Sequence, residues 1–269
     1  MNTLANVRAE LDAIDDALHD LLMRRADVVA GLAASRAKAG GPTLRPGREA
    51  RILRRLLGRH SGPLPRAALV RLWREMFATS IRQQNSFSLA LHGVGDSVPK
   101  LVAEHFGMGM PTRSYSTPSQ ALAAVGNGDA AIAVLPFPSE ADPAELEWWP
   151  ALDAPRLAVV ARLPFYAEGN PGPEALIVAH GMPDPSDDDR SLLLVEADPE
   201  LSRGAVLQGL AEAGITARLL IVRRNAGLSR FLFDADGLIE PGDARLAAPN
   251  FIRTRLLGAY ATPIRGISA

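Results

Sequence analysis

The N-terminal stretch places the strongest constraint on how this chain can fold. From Thr3 to Lys38 there is no proline, and apolar residues recur at helical period. Leu4, Leu11, Leu18 and Leu32 fall on one heptad line, with Ile14, Leu21, Leu22, Val28 and Val29 widening the stripe. Thr3 suits an N-cap, and Gly40-Gly41-Pro42 is a firm stop. The pattern predicts a single helix over 3–38, about 50 Å long. A helical domain of under about 90 residues cannot cover such a rod from within one chain. The stripe therefore calls for a second copy, a homodimer through the N-terminal helices.

Two further helices follow. One is expected from about Pro46 to Arg59, with Ile52, Leu53, Leu56 and Leu57 inward, and His60-Ser61-Gly62-Pro63 breaks it. The next runs from about Pro65 to Ser86, with Leu69, Leu72, Trp73, Met76, Phe77 and Ile81 on its apolar face. The charge balance changes after Phe87. Residues 1–87 carry 15 Lys/Arg against 8 Asp/Glu, and the remainder carries 14 against 22. A break of this size supports a domain boundary there.

Beyond Phe87, short β-like runs at Ser88–His92, Thr112–Ser116 and Ala131–Leu135 alternate with helical stretches 97–107 and 118–126. That order predicts a small parallel sheet. Leu157–Ala161 and Leu176–Ala179 read as further strands. Gly181-Met182-Pro183-Asp184-Pro185, followed by aspartates, reads as a linker. The last segment gives β (191–196), α (201–213), β (217–223) and β (229–234), with a less readable tail. The expectation is a multi-domain chain: an all-α three-helix domain over 1–87, an α/β lobe over 88–180 and an α+β module over 190–269.

Composition removes several function classes. The 269 residues include no cysteine, so disulfides, thiolate metal sites and a cysteine nucleophile are excluded. No apolar run approaches the ~20 residues of a membrane span. The acidic N-terminus lacks a secretory h-region, which leads to the expectation of a cytoplasmic protein with no membrane partner.

The informative anomaly lies in charges where a core should be. Arg25 occupies the Leu4–Leu32 heptad line, Arg8 lies ~40° from Leu4, and Arg36 lies ~20° from Arg25. Each alone could snorkel or find a local acid. For all three that account weakens, because Glu10, Asp12, Asp16 and Asp20 mostly lie on the other face. A ligand rich in carboxylates would satisfy them. Arg48 and Glu49 sit one turn before Ile52 and Leu53, and Ser80 and Gln84 form a polar column on the third helix. Arg8 and Arg25 are ~25 Å apart along one helix, too far to grip one small molecule. In an antiparallel dimer, Arg8 of one chain approaches Arg25 of the other, giving two interchain sites.

These residues, from Leu4 to Gln84, resemble the all-helical chorismate mutases. The matching elements are Arg8 within LANVRAELDAID, Arg25 within LLMRRADVV, Arg36, the segment Arg45–Glu49, and Ser80 and Gln84 within ATSIRQQ. The resemblance implies a concerted [3,3] rearrangement of chorismate to prephenate, with no cofactor and no metal. By that resemblance Arg8 of the partner and Arg25 bind the two carboxylates, Arg48 supports them, and Ser80 lines the pocket. Glu49 accepts from the ring hydroxyl, while Arg36 and Gln84 donate to the ether oxygen. The family usually has lysine at position 36 and often aspartate at position 45, so Arg36 and Arg45 depart from it. Gln84 donates at any pH, the arginines stay charged, and Glu49 is expected to ionise at or below the usual ~4.3, so the reaction is expected to depend only weakly on pH between about 5 and 9.

The remaining chain resembles a degenerate prephenate dehydratase followed by an ACT-type module. ALAAVGNGDAAIAVL (Ala121–Leu135) and Pro136 carry the first resemblance, although Phe137-Pro138-Ser139 replaces the usual Ile-Glu-Asn-Ser. Asp198-Pro199, Gly204-Ala205-Val206-Leu207, Ala213-Gly214-Ile215 and Arg224 carry the second, which implies an effector-binding first turn at 204–207. Three alternatives stay open: a bifunctional mutase–dehydratase, an isochorismate pyruvate-lyase with the same carboxylate grip, and an inactive regulatory homologue. Arg51, Arg54, Arg55 and Arg59 could make a basic solvent face, but Arg8, Arg25 and Arg36 point inward, so no nucleic-acid partner is expected.

Overall fold

The computed structural model describes residues 3–39, 42–84, 86–93, 95–225, 227–247 and 251–266, without the side chains of Ala33 and of residues 36–39. Three helices open the chain: α1 (Leu4–Ala39), α2 (Pro46–Arg59) and α3 (Arg66–Gln84). Pro46 stands in the first turn of α2, where its missing N–H is not needed. After them come β1 (Leu89–Leu91), α4 (Ser97–Phe106), β2 (Thr112–Ser114), α5 (Pro118–Gly126) and β3 (Ile132–Pro136). Then follow β4 (Ala158–Leu163), β5 (Tyr166–Glu168), β6 (Ala175–Ala179) and β7 (Asp189–Ala197). The chain ends in α6 (Arg203–Glu212), β8 (Ala217–Asn225), β9 (Leu228–Asp236), β10 (Arg253–Ala261) and β11 (Ile264–Gly266).

Nine strands form one sheet in the order β2-β1-β3-β6-β4-β10-β7-β9-β8. β1 pairs in parallel with β2 and β3, as the β-α-β-α-β order predicts, and the rest is mostly antiparallel. The strands of 88–180 and of 190–269 thus share one sheet. They join where Gly258 of β10 meets Val159 of β4. A Cβ at Gly258 would lie 2.2 Å from the Val159 carbonyl oxygen, and its φ is +133°, so only glycine fits. One apolar cluster runs along one sheet face from Ala90 to Ile221, taking in Trp148, Trp149 and Tyr260.

The helical domain is built differently on its two sides. α3 buries Val70, Arg74, Phe77, Ala78 and Ile81, and it packs against α4, Phe165 and the sheet. Leu72, expected inward, is 56 % exposed, because the buried row of α3 is rotated toward the α/β region. α1 packs against α3 but leaves its stripe open: Leu4, Leu11, Leu18 and Leu32 are 67, 55, 52 and 45 % exposed. Among the described residues no helix is long and apolar enough to cross a membrane.

The segment expected to be a linker is built in. Ser186 is fully buried, and its amide and hydroxyl both donate to the Asp189 carboxylate, at 2.8 and 2.5 Å. Arg54, placed by sequence on a solvent face, instead donates to the carbonyls of Ser186, Asp188 and Thr262.

Candidate active site

Arg25 leaves α1 toward α3, where its guanidinium donates to Ser80 Oγ at 2.8 Å. Ser80 in turn donates to the Met76 carbonyl one turn back, at 2.7 Å, which fixes its hydroxyl. Gln84, one turn further along α3, donates from Nε2 to the Ser80 carbonyl at 2.9 Å. Partial burial and the nearby positive charge of Arg48 lower the pKa of Arg25, in that order of size. The two guanidinium groups are thus close enough to repel, and among the described residues neither has an acidic partner. Beside Arg25 lies a cavity of about 250 Å³, lined by Leu22, Ala26, Met76, Ser80 and Glu75 among others, the Glu75 carboxylate being paired with Arg82 at 3.1 Å. Such a space, with positive charge held at its rim, suits an anion with an apolar body.

The other expected residues are placed as follows. Arg8 is exposed on α1 and has no partner among the described residues. The side chains of Arg36 and Lys38 lie outside the described residues, so the expected ether-oxygen donor at position 36 is not located. Glu49 is paired within the fold: its Oε2 accepts from Arg74 Nη1 at 2.8 Å, and both side chains are buried. Burial raises the pKa of Glu49 and outweighs the opposing pull of Arg74. This corrects the expectation of a carboxylate at or below its ordinary value: desolvation wins over the surrounding arginines.

Sequence reasoning missed Arg74 and Asp184. The Arg74 guanidinium also lies over the Phe77 and Phe165 rings, at 5.9 and 5.4 Å to the centroids, and within 3.4 Å of His105 Nε2. The signal is present, a charge one turn from Val70, Phe77 and Ala78 on the buried side of α3, but the expected apolar face takes in Phe77 and Ile81 without Val70 and Ala78. Asp184 accepts from the backbone amides of Gly47 and Arg48, at 3.2 and 2.9 Å, and from Arg45 at 3.3 Å. Arg45 thus meets an aspartate from elsewhere in the chain, and nothing local in sequence announces that contact.

A stretch reaching from α1 to the end of α3 has a counterpart among known families. Residues 7–85 match the family model described as chorismate mutase type II. They form a chorismate mutase type II domain. Arg8, Arg25, Arg48, Glu49, Ser80 and Gln84 all fall inside this mutase domain. The structure is also similar to three solved ones. A protein described as "GqqA- a novel type of quorum quenching acylases" is 21 % identical, with a TM-score of 0.49, over 65 % of this chain and 94 % of that one. Prephenate dehydratase from Streptococcus mutans is 18 % identical, with a TM-score of 0.48, over 66 % and 99 %. Prephenate dehydratase from Arthrobacter aurescens in complex with L-Phe is 16 % identical, with a TM-score of 0.48, over 65 % and 90 %. At such identities the likeness is one of fold. No curated protein matches this chain.

In the C-terminal region, Gly204 to Leu207 form the first turn of α6, which Ser202 caps through the Ala205 amide at 3.1 Å. Gly204 and Ala205 are exposed, Leu207 is half-buried and Val206 is core. A Cβ at Gly204 would meet nothing closer than Ser202 Oγ at 3.9 Å, so packing does not require glycine there. Arg224 donates to the carbonyls of Pro199 and Leu201, closing the loop before α6.

Proposed function

We propose that this chain converts chorismate to prephenate at a site between α1, α2 and α3, completed by Arg8 of a second copy. The observation that carries this reading is Arg25 beside an apolar-walled cavity in a mutase domain, with the charge of Arg48 nearby and no acid bonded to either among the described residues. A dicarboxylate would neutralise both, and the apolar wall would hold its ring in the compact conformer that the rearrangement needs. Ser80 keeps Arg25 aimed. Gln84, one turn on, would donate to the ether oxygen as charge develops there, with position 36 as its counterpart. Glu49 would accept from the ring hydroxyl through Oε1, since Arg74 occupies Oε2.

The exposed stripe of α1 supports the second copy. A rod with Leu4, Leu11, Leu18 and Leu32 roughly half open has the length and pattern of a helix that packs on its own twin. The test is to incubate the purified chain with chorismate and identify the product. Prephenate supports the reading. Pyruvate released from isochorismate in a parallel incubation would assign the lyase chemistry instead, and neither substrate consumed would mean that the domain has lost catalysis. Phenylpyruvate after prephenate would add a dehydratase step in the α/β region.

A further inference from the structure

The start of α2 lacks a cap of its own. Arg45 stands at the N-cap position without a side-chain cap bond, and Pro46 has no N–H to offer. The next two amides, of Gly47 and Arg48, go to the Asp184 carboxylate, and that of Glu49 goes to the Arg45 carbonyl. A residue more than a hundred positions away therefore does what an N-cap does: it satisfies orphan amides and sets negative charge at the positive end of the helix. The fit is tight, since a Cβ at Gly47 would lie 1.8 Å from the Asp184 carbonyl oxygen. About 10 Å further along α2, Arg54 is held by the carbonyls of Ser186, Asp188 and Thr262. Arg48 and Glu49, two of the residues assigned to the substrate, lie in the first turn, at the gripped end.

We infer that the segment 184–188 is a built-in clamp on the mutase domain, with Asp184 a positioning residue that fixes the substrate-binding end of α2. This rests on the mutase reading above. Asp184 touches no substrate. It acts through the backbone of Gly47 and Arg48, so that the α/β region sets where the Arg48 guanidinium and the Glu49 carboxylate stand. Displacements of about 1 Å in such groups are enough to cost up to 10²-fold in rate.

The test uses the full-length chain. Asp184→Ala should raise KM for chorismate about tenfold with a smaller change in kcat, because it loosens binding groups without touching the ether-oxygen donors. Asp184→Asn, whose amide oxygen can still cap, should recover most of that loss. Gly47→Ala adds a better helix former, so in the absence of the clamp it would be neutral or stabilising. With the clamp it should impair KM like Asp184→Ala. Asp187→Asn, at an exposed neighbour, should match the parent. Hydrogen exchange supplies a readout independent of turnover: the Gly47 and Arg48 amides should lose protection in Asp184→Ala while amides of α3 keep theirs. Unchanged KM and unchanged exchange in Asp184→Ala would overturn the clamp, and so would a harmless Gly47→Ala. A parent chain without turnover would overturn the mutase reading and the kinetic half of the proposal, while exchange at Gly47 and Arg48 would still decide whether the grip exists.

Discussion

Glu49 and Arg74 are each buried, and each is tolerable only because of the other. Removing one partner leaves an uncompensated charge in the core, typically at about 3–5 kcal/mol. Arg74→Leu should therefore destabilise the chain by that order at pH 7, measured by urea unfolding. The pH dependence follows from Glu49, whose pKa burial already raises. A carboxyl with a raised folded-state pKa contributes stability that is present below its ordinary value and lost as pH rises through the folded one. The deficit of Arg74→Leu should thus shrink as the pH is lowered toward 5. His105 works in the opposite sense. Burial, and then the charge of Arg74, hold its pKa well below 6.5. The unfolded chain takes up a proton below about pH 6.5 that folded His105 refuses, so stability falls as pH drops under that value. His105→Gln should flatten the stability profile between pH 5 and 7, and an unchanged slope would show that another group controls it.

At the scale of elements, α1 carries the prediction that matters most for the mutase reading. If Arg8 serves the partner's site, mixing Arg8→Ala with Arg25→Ala chains makes heterodimers in which one of two sites is intact. Full exchange should then restore about a quarter of parental activity from two inactive samples. No recovery after confirmed exchange would place both arginines in one chain's site. The helices themselves were legible because their signals are local: the period of Leu4 to Leu32, Pro46 at a helix start, and the Gly-Pro breaks. The strand order from Leu89 to Pro136 was legible for the same reason. What escaped was non-local. β10, RTRLLGAYA, has no alternation to mark it, because both faces of a central strand are covered. Arg25, Ser80 and Gln84 were brought together from spacing on two helices, whereas Asp184 reaches Gly47 through a sheet that no helical period describes. Glu49 was placed on the right helix, but its buried partner Arg74 was not suspected.

On the scale of the whole molecule, the two stretches after the helical domain behave as one body, because β10 of the second stands beside β4 of the first. Gly258→Ala should be severely destabilising: its Cβ would lie 2.2 Å from a backbone oxygen, at a φ that alanine resists. Heating should melt the sheet in one step, with β1 and β9 losing exchange protection together. There is also a matter of timing. Thr262, which helps hold Arg54, and β10, which lies inside the sheet, are both made long after α2, β4 and β7. Until Arg253–Ala261 emerges, β4 and β7 present bare edges to the cell, and α2 waits for part of its anchorage. A chain stopped at residue 250 should accumulate as aggregate rather than as a shortened soluble protein, because β4 and β7 would keep their bare edges.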